Sequence, residues 1–250
     1  MIALGILHVL GYVHCDVSAG NVLLYNDAGI LADLEFAKKT SNLTVHEVRT
    51  VRLLLFSCTG SPCLLASDQG MNQFESIEVS NQTYLFRDRK GKGYPPGFRF
   101  NTIHDLESTW WIAFWVLCHH VPQDDNGERN EQLNDATELF PPTGTSSKRL
   151  VAFVHGGLTS TIVLLPPVFQ ENAQWLINAR DLLVDRYTTA ERGSQIDETA
   201  FDNLHEELAQ IWAQAKEASS GVKYRFLQAV KRRIMQEPNN HQGSSKRVKT

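Results

Sequence analysis

The apolar positions of this chain fall into blocks of differing period, and each block predicts an element. Residues 2–12 (IALGILHVLGY) are mostly apolar helix formers, with Gly11 near the end of the run, so a helix is expected there. Two short runs, Val22–Tyr25 and Ile30–Ala32, flank Asn26-Asp27-Ala28-Gly29 and read as a β-hairpin with a glycine-containing turn. From Lys38 to about Arg99 no period holds, and Gly60, Pro62, Gly70, Gly91, Gly93, Pro95, Pro96 and Gly97 interrupt the chain. So long an irregular stretch predicts a functional or partly disordered loop.

Residues 104–120 (HDLESTWWIAFWVLCHH) are apolar on nearly all sides after the first turn, the pattern of a buried helix. Ile112, Phe114, Trp115, Val116 and Leu117 are its expected apolar surface, while His104, His119 and His120 read as helix-surface residues. Residues 122–149 are polar and proline-bearing, a surface excursion. Helical periodicity returns over 169–187 and 201–217, and residues 222–235 suit a final basic helix. The segment 238–250 (PNNHQGSSKRVKT) has the composition of a disordered tail.

The chain has 250 residues, 42% hydrophobic and 21% charged, an ordinary balance for a globular protein with a real core. A formal net charge of −4 exerts no global pull towards nucleic acid or anionic membrane, and no nucleic-acid or membrane partner is expected. No run of 18 apolar residues occurs, and the N-terminus lacks the basic region and cleavage pattern of a signal peptide. Cys15, Cys58, Cys63 and Cys118 fit no zinc spacing and are expected as reduced thiols in an intracellular, cytoplasmic or nuclear protein. Lys231-Arg232-Arg233 and the basic tail read as solvated charge, with a nuclear-localisation signal as the alternative.

Candidate chemistry is concentrated in HCDVSAGNVLLYNDAGILADLEFAKK, residues 14–39. Phosphoryl transfer to a hydroxyl needs a carboxylate to orient it and accept its proton, and oxygen ligands to hold Mg²⁺ against the phosphates. His14, Asp16 and Asn21 have the spacing H-x-D-x-x-x-x-N, which sets such a base and one ligand on a single loop. One hairpin later, Asp33 stands where a second ligand is needed, so Asn21 and Asp33 are a sufficient protein contribution to a Mg²⁺·ATP site. The bland readings are a turn or capping role for Asp33 and a helix-capping role for Asp105.

Four stretches carry a wider resemblance: HCDVSAGNVLLY (14–25), ADLEFAKK (32–39), NQFESIEV (72–79) and FNTIHDLESTWWIAFWVL (100–117). Through them the sequence resembles the fungal-type protein kinase family, from residue 1 to about 190. The resemblance implies a mainly α (α+β) fold, that of a protein-kinase-like C-terminal lobe with a small β-hairpin at the catalytic loop. It implies ATP and Mg²⁺ as cofactors and protein Ser/Thr hydroxyls as acceptors, without naming the protein substrate. Asp16 would be the catalytic base, and Asn21 and Asp33 the metal and nucleotide ligands. Glu78 would be the structural glutamate closing the activation segment, and Asp105 the helix aspartate that anchors the catalytic loop's backbone.

Several features depart from that pattern. No G-x-G-x-x-G loop and no V-A-I-K-like strand occurs within residues 1–250, so weak or absent ATP binding is expected of this polypeptide. Cys15 replaces the arginine that receives an activation-segment phosphate, and Glu35 replaces the glycine of D-F-G. Residues 51–70 (VRLLLFSCTGSPCLLASDQG) separate Arg49-Thr50 from the Met71–Phe74 segment and read as a retained intron translated in frame or a genuine loop insertion. The expected organisation is a kinase C-lobe over 1–190, a helical extension over 191–237 and a basic tail over 238–250. The leading reading is a Ser/Thr protein kinase active in a complete form. A pseudokinase-like interaction fragment or a non-functional truncated product is the alternative. A small-molecule phosphotransferase shares the H-x-D-x-x-x-x-N loop, but the D-L-E-F-A-K and H-D-L-E-S blocks argue against it.

Overall fold

The computed structural model describes residues 1–26, 28–40, 73–87, 97–141 and 146–227. The expected insert at 51–70 and the tail at 238–250 lie outside them. Among the described residues the chain is mainly helical, with three two-stranded antiparallel sheets where the sequence pattern predicts one hairpin. No helix among them is long and apolar enough to cross a membrane.

Helix α1 (Ile2–Val9) ends at Gly11, whose φ of 74° a Cβ would strain. Strand β1 (Tyr12–Val13) follows. Strands β2 (Val22–Tyr25) and β3 (Ala28–Leu31) form the hairpin, with Tyr25 opposite Ala28. The turn is therefore tighter than the Asn26–Gly29 stretch expected: Ala28 and Gly29 already belong to β3. Strand β4 (Lys38–Lys39) returns to pair with β1.

Part of the stretch expected to be irregular is ordered. Helix α2 (Ile77–Asn81) forms there, capped by the Ser76 hydroxyl, and Phe74, Ile77, Val79, Tyr84, Phe98 and Phe100 are buried around it.

Helix α3 (Thr102–His119) runs through the centre of the core, as its composition predicts, but the face it buries differs. Ile103, Trp110, Trp111 and Phe114 are at most 1% exposed, whereas Ile112, Trp115, Val116 and Leu117 are only partly buried. Helix α7 (Pro167–Ala190) packs along α3 through Leu176, Ala179, Leu183 and Tyr187, and the Trp110 indole N–H donates to the Leu176 carbonyl at 2.8 Å. Each of the two leucines contributes about 1.5–3 kcal/mol by leaving water. Helix α8 (Leu204–Ala218) adds Leu204 and Leu208 to the same core, joined by Leu4 of α1.

Residues 122–149 are not the surface excursion expected. Strand β5 (His120–Pro122) leads into helix α4 (Asn130–Leu139), which buries Leu133, Ala136 and Leu139, with Phe140 just after it. Three apolar positions spaced by three make a stripe too narrow to stand out in a polar segment. Gln132 of α4 donates to the carbonyls of Cys118 (3.0 Å) and His120 (3.1 Å), satisfying the C-terminal end of α3. Helices α5 (Ser147–Val154) and α6 (Thr159–Ile162) complete the body.

The described part of the expected basic helix 222–235 is instead strand β6 (Tyr224–Phe226), paired antiparallel with β5. Phe226 sits 5.7 Å from Trp115, 6.0 Å from His119 and 5.1 Å from His120, ring centre to ring centre. These aromatic contacts favour the strand over local helix propensity.

Candidate active site

Sheet β1–β4 delivers the chain to the loop at residues 14–21. Thr40 closes the sheet by donating its amide (2.9 Å) and hydroxyl (3.2 Å) to the Gly11 carbonyl. Val13 is fully buried, and His14 behind it is equally inaccessible. The His14 Nδ1 accepts from the Asp16 amide at 3.3 Å, which assigns the ring proton to Nε2. That Nε2–H then donates to the Ala32 carbonyl at 3.0 Å. His14 thus ties the loop to the residue that precedes Asp33.

Asp105 reaches the same loop from α3. Its Oδ2 accepts from the His14 amide at 2.6 Å and its Oδ1 from the Cys15 amide at 3.0 Å, with the carboxyl 4% exposed. Helix capping is done elsewhere. Asn101 Oδ1 accepts from the Ile103 amide (3.2 Å), and the Asn101 amide donates to His104 Nδ1 (3.0 Å). Cys15 adopts φ 63°, a strained conformation for a residue with a Cβ, held while its amide faces Asp105.

Asn21 faces Asp16. Its amide nitrogen donates to the Asp16 carbonyl at 2.9 Å and to the Asp16 carboxylate at 3.1 Å, and Asp16 is 6% exposed. Both donations use Nδ2, so Oδ1 is the atom Asn21 can offer to a cation. The Ala32 amide donates to the Asn21 carbonyl at 2.8 Å, bringing the start of the Asp33 segment against Asn21. Asp33 is exposed, at φ 61° and ψ 72°, and opens a 3₁₀ turn over Leu34–Phe36 in which Glu35 is also exposed.

Glu78 lies in a buried acidic cluster with Glu107 and Glu191. It is 1% exposed. Its Oε1 accepts from the Leu85 amide (2.6 Å), and its Oε2 lies 3.3 Å from His104 Nε2. The Nδ1 of His104 is occupied as an acceptor, so Nε2 carries the proton and donates to Glu78. Burial pushes His104 down to about 3, so this contact is a hydrogen bond between a neutral imidazole and a carboxyl group rather than an ion pair. Glu107 is fully buried beneath three donors: the Ile77 amide (2.8 Å), the Trp111 indole (2.8 Å) and the Tyr187 hydroxyl (2.6 Å). Arg149, also buried, lies over the Trp111 ring at 4.2 Å and donates to the Glu75 carbonyl at 2.5 Å.

The family model described as fungal protein kinase matches residues 2–117. No curated protein and no solved structure matches the chain.

Within the matched segment, α3 is the common support. Asp105 meets the loop at 14–21, while His104 and Glu107 meet α2 and the residues after it. The structure brings Asp16, Asn21, Asp105 and the approach to Asp33 together, and it leaves Glu78 outside that group. His104 and His119, expected on the helix surface, are buried (0% and 6% exposed), because their rings fill aromatic clusters with Phe98 and Phe100 and with Trp115 and Phe226. Glu107, Tyr187 and Glu191 were not legible as site residues. Glu107 lies inside the H-D-L-E-S block, but nothing near Glu191 in sequence signals a buried role.

Proposed function

We propose that the chain carries the catalytic-loop half of a Ser/Thr protein kinase, transferring the γ-phosphoryl group of ATP to a protein hydroxyl. One arrangement supports this best: Asn21 bonded to Asp16, with both joined through Ala32 to the segment that carries Asp33. In this reading Asp16 is the base. It orients the incoming hydroxyl and takes its proton as the O–P bond forms. The Asn21 bond to the Asp16 backbone carbonyl fixes the amide in place, and its bond to Oδ2 keeps the carboxylate from rotating away. Asp105 is a positioning residue that holds the His14 and Cys15 amides and hence the loop.

The donor set fits Mg²⁺. Asn21 offers Oδ1 and Asp33 an exposed carboxylate, hard oxygen ligands of the kind this ion takes from a protein when phosphates supply the rest. When bound, the ion neutralises charge on the β- and γ-phosphates. Exposed apolar side chains on α1 (Ile2, Ile6, Val9) and on the hairpin (Val22, Leu23, Ile30) are consistent with a covering nucleotide-gripping lobe. The test is phosphate incorporation into a Ser/Thr protein from γ-labelled ATP by the purified protein. Incorporation lost in Asp16→Asn is expected, and equal labelling by wild type and Asp16→Asn overturns the mechanism.

A further inference from the structure

Two buried carboxyl groups grip consecutive amides beside α3. The Leu85 amide donates to Glu78 Oε1 at 2.6 Å, and the Phe86 amide donates to Glu191 Oε2 at 2.9 Å. Glu78 comes from α2 and Glu191 from just past the end of α7, and they are 1% and 2% exposed. Their carboxyls lie within hydrogen-bonding reach of each other. Glu191 Oε1 is buried and meets no N–H or O–H donor. Two carboxylates have no hydrogen to share and repel, whereas one added proton turns the contact into a strong O–H···O⁻ bond.

We propose that Glu78 and Glu191 hold one proton between them, and that this shared proton is a latch fastening residues 84–87 to the helical body. The surroundings favour retention of the proton. On α3, His104 is a neutral donor to Glu78, and Glu107 adds a nearby negative charge. On α7, Tyr187 gives its hydroxyl to Glu107. On the loop, the Tyr84 hydroxyl accepts from the Arg99 amide at 3.0 Å. Arg87 is the opposing cation near Glu191; its Nη2 donates to the Ser194 carbonyl at 3.0 Å, and its Nη1 is buried and meets no acceptor among the described residues. Burial pushes both carboxyls up, and the neighbouring Glu78 charge pushes Glu191 up further, so the pair keeps a proton above the ordinary carboxylate range.

The latch bears on the candidate active site through packing. Tyr84 clusters with Val79, Phe98, Phe100 and Val13, the residue immediately before His14, and Cys15 packs against the same cluster. Loosening residues 84–87 therefore loosens the base of the loop. Glu191 is a positioning residue, and the latch holds whether or not the chain transfers phosphate.

A carboxyl pair that keeps a proton in the fold makes folding weaken as pH rises, because the unfolded glutamates have already lost theirs. In urea denaturation of the full chain, the wild-type unfolding constant is expected to rise relative to that of Glu191→Gln by about tenfold per pH unit between about pH 6.5 and 8, the signature of one linked proton. The glutamine amide can donate to Glu78 and accept from Phe86 without titrating. Parallel pH profiles for the two proteins overturn the proposal. In wild type alone, hydrogen-exchange protection factors at Leu85 and Phe86 are expected to fall over this range while those of Ala179 and Leu183 in α7 hold. pH-independent protection at the two loop amides overturns it equally, even if Glu191→Gln does not fold.

Discussion

Replacing Asp105 with alanine is the most informative single perturbation of this molecule. The side chain accepts from two amides, His14 at 2.6 Å and Cys15 at 3.0 Å, in a site closed to water. A hydrogen bond to a charged group contributes about 1.5–3 kcal/mol, and a buried N–H left without a partner costs about 1–3. Two amides stripped of their acceptor therefore predict a loss of roughly 3–6 kcal/mol, against about 0.5–2 for a lost helix cap. Since a whole domain is stable by only about 5–15 kcal/mol, Asp105→Ala should bring the chain close to unfolding. Asp105→Asn keeps one acceptor oxygen and should lose about half as much. Cys15 adds a local signature, because its φ of 63° is sustained by the anchored amide, and such strain stores about 1–3 kcal/mol that relaxes when the anchor goes. Urea denaturation gives the magnitude, and hydrogen exchange locates it. Protection at residues 14–21 should fall in both variants, more in alanine, before that of α7 changes. A loss no larger than a cap's, with unchanged protection at His14 and Cys15, would refute the anchoring argument.

If the protein transfers phosphate as proposed, Asp16→Asn should abolish turnover while leaving nucleotide binding largely intact, whereas Asp33→Asn should weaken Mg²⁺·ATP binding as well; near-normal turnover by both variants rules out the proposed roles. Trp110→Ala should cost about 3–5 kcal/mol, since the ring is fully buried, and Trp115→Ala distinctly less, since that ring is only partly buried; equal midpoints in urea contradict the assigned packing. Acid should destabilise the fold through His104 and His119, which burial pushes down to about 3 and about 4. Unfolded histidines take up protons below about pH 6.5, so stability falls as pH drops from there towards those values, by up to about 1.4 kcal/mol per unit for each. A His104→Asn variant whose acid limb is as steep as wild type's shows that His104 is not the group responsible.

Much of the candidate site is local and was therefore readable from sequence. His14, Asp16, Asn21 and Asp33 lie within 14–39, and the hairpin between them is written in short apolar runs around a turn. The tryptophan-rich block announced a buried helix for the same reason: burial on all sides leaves no polar stripe. Which of its rings are sealed was not readable. Trp110 and Trp111 face α7 and Phe140, while Trp115 faces β6, and only the packing of distant elements settles that. The same holds for α4, whose narrow stripe of Leu133, Ala136 and Leu139 looked like surface until α3 was laid against it. Strand β6 forms because Trp115 and His119 offer its aromatic residues a place to stack, against the helix its own composition suggests. The carboxyl cluster is the clearest case. Apart from Glu78, which the family resemblance marks as structural, the glutamates at 107 and 191 look like solvated charge in any local window, because period and propensity report a residue's own element. The burial of all three and the proton that Glu78 and Glu191 share arise only where α2, α3 and α7 converge and exclude water.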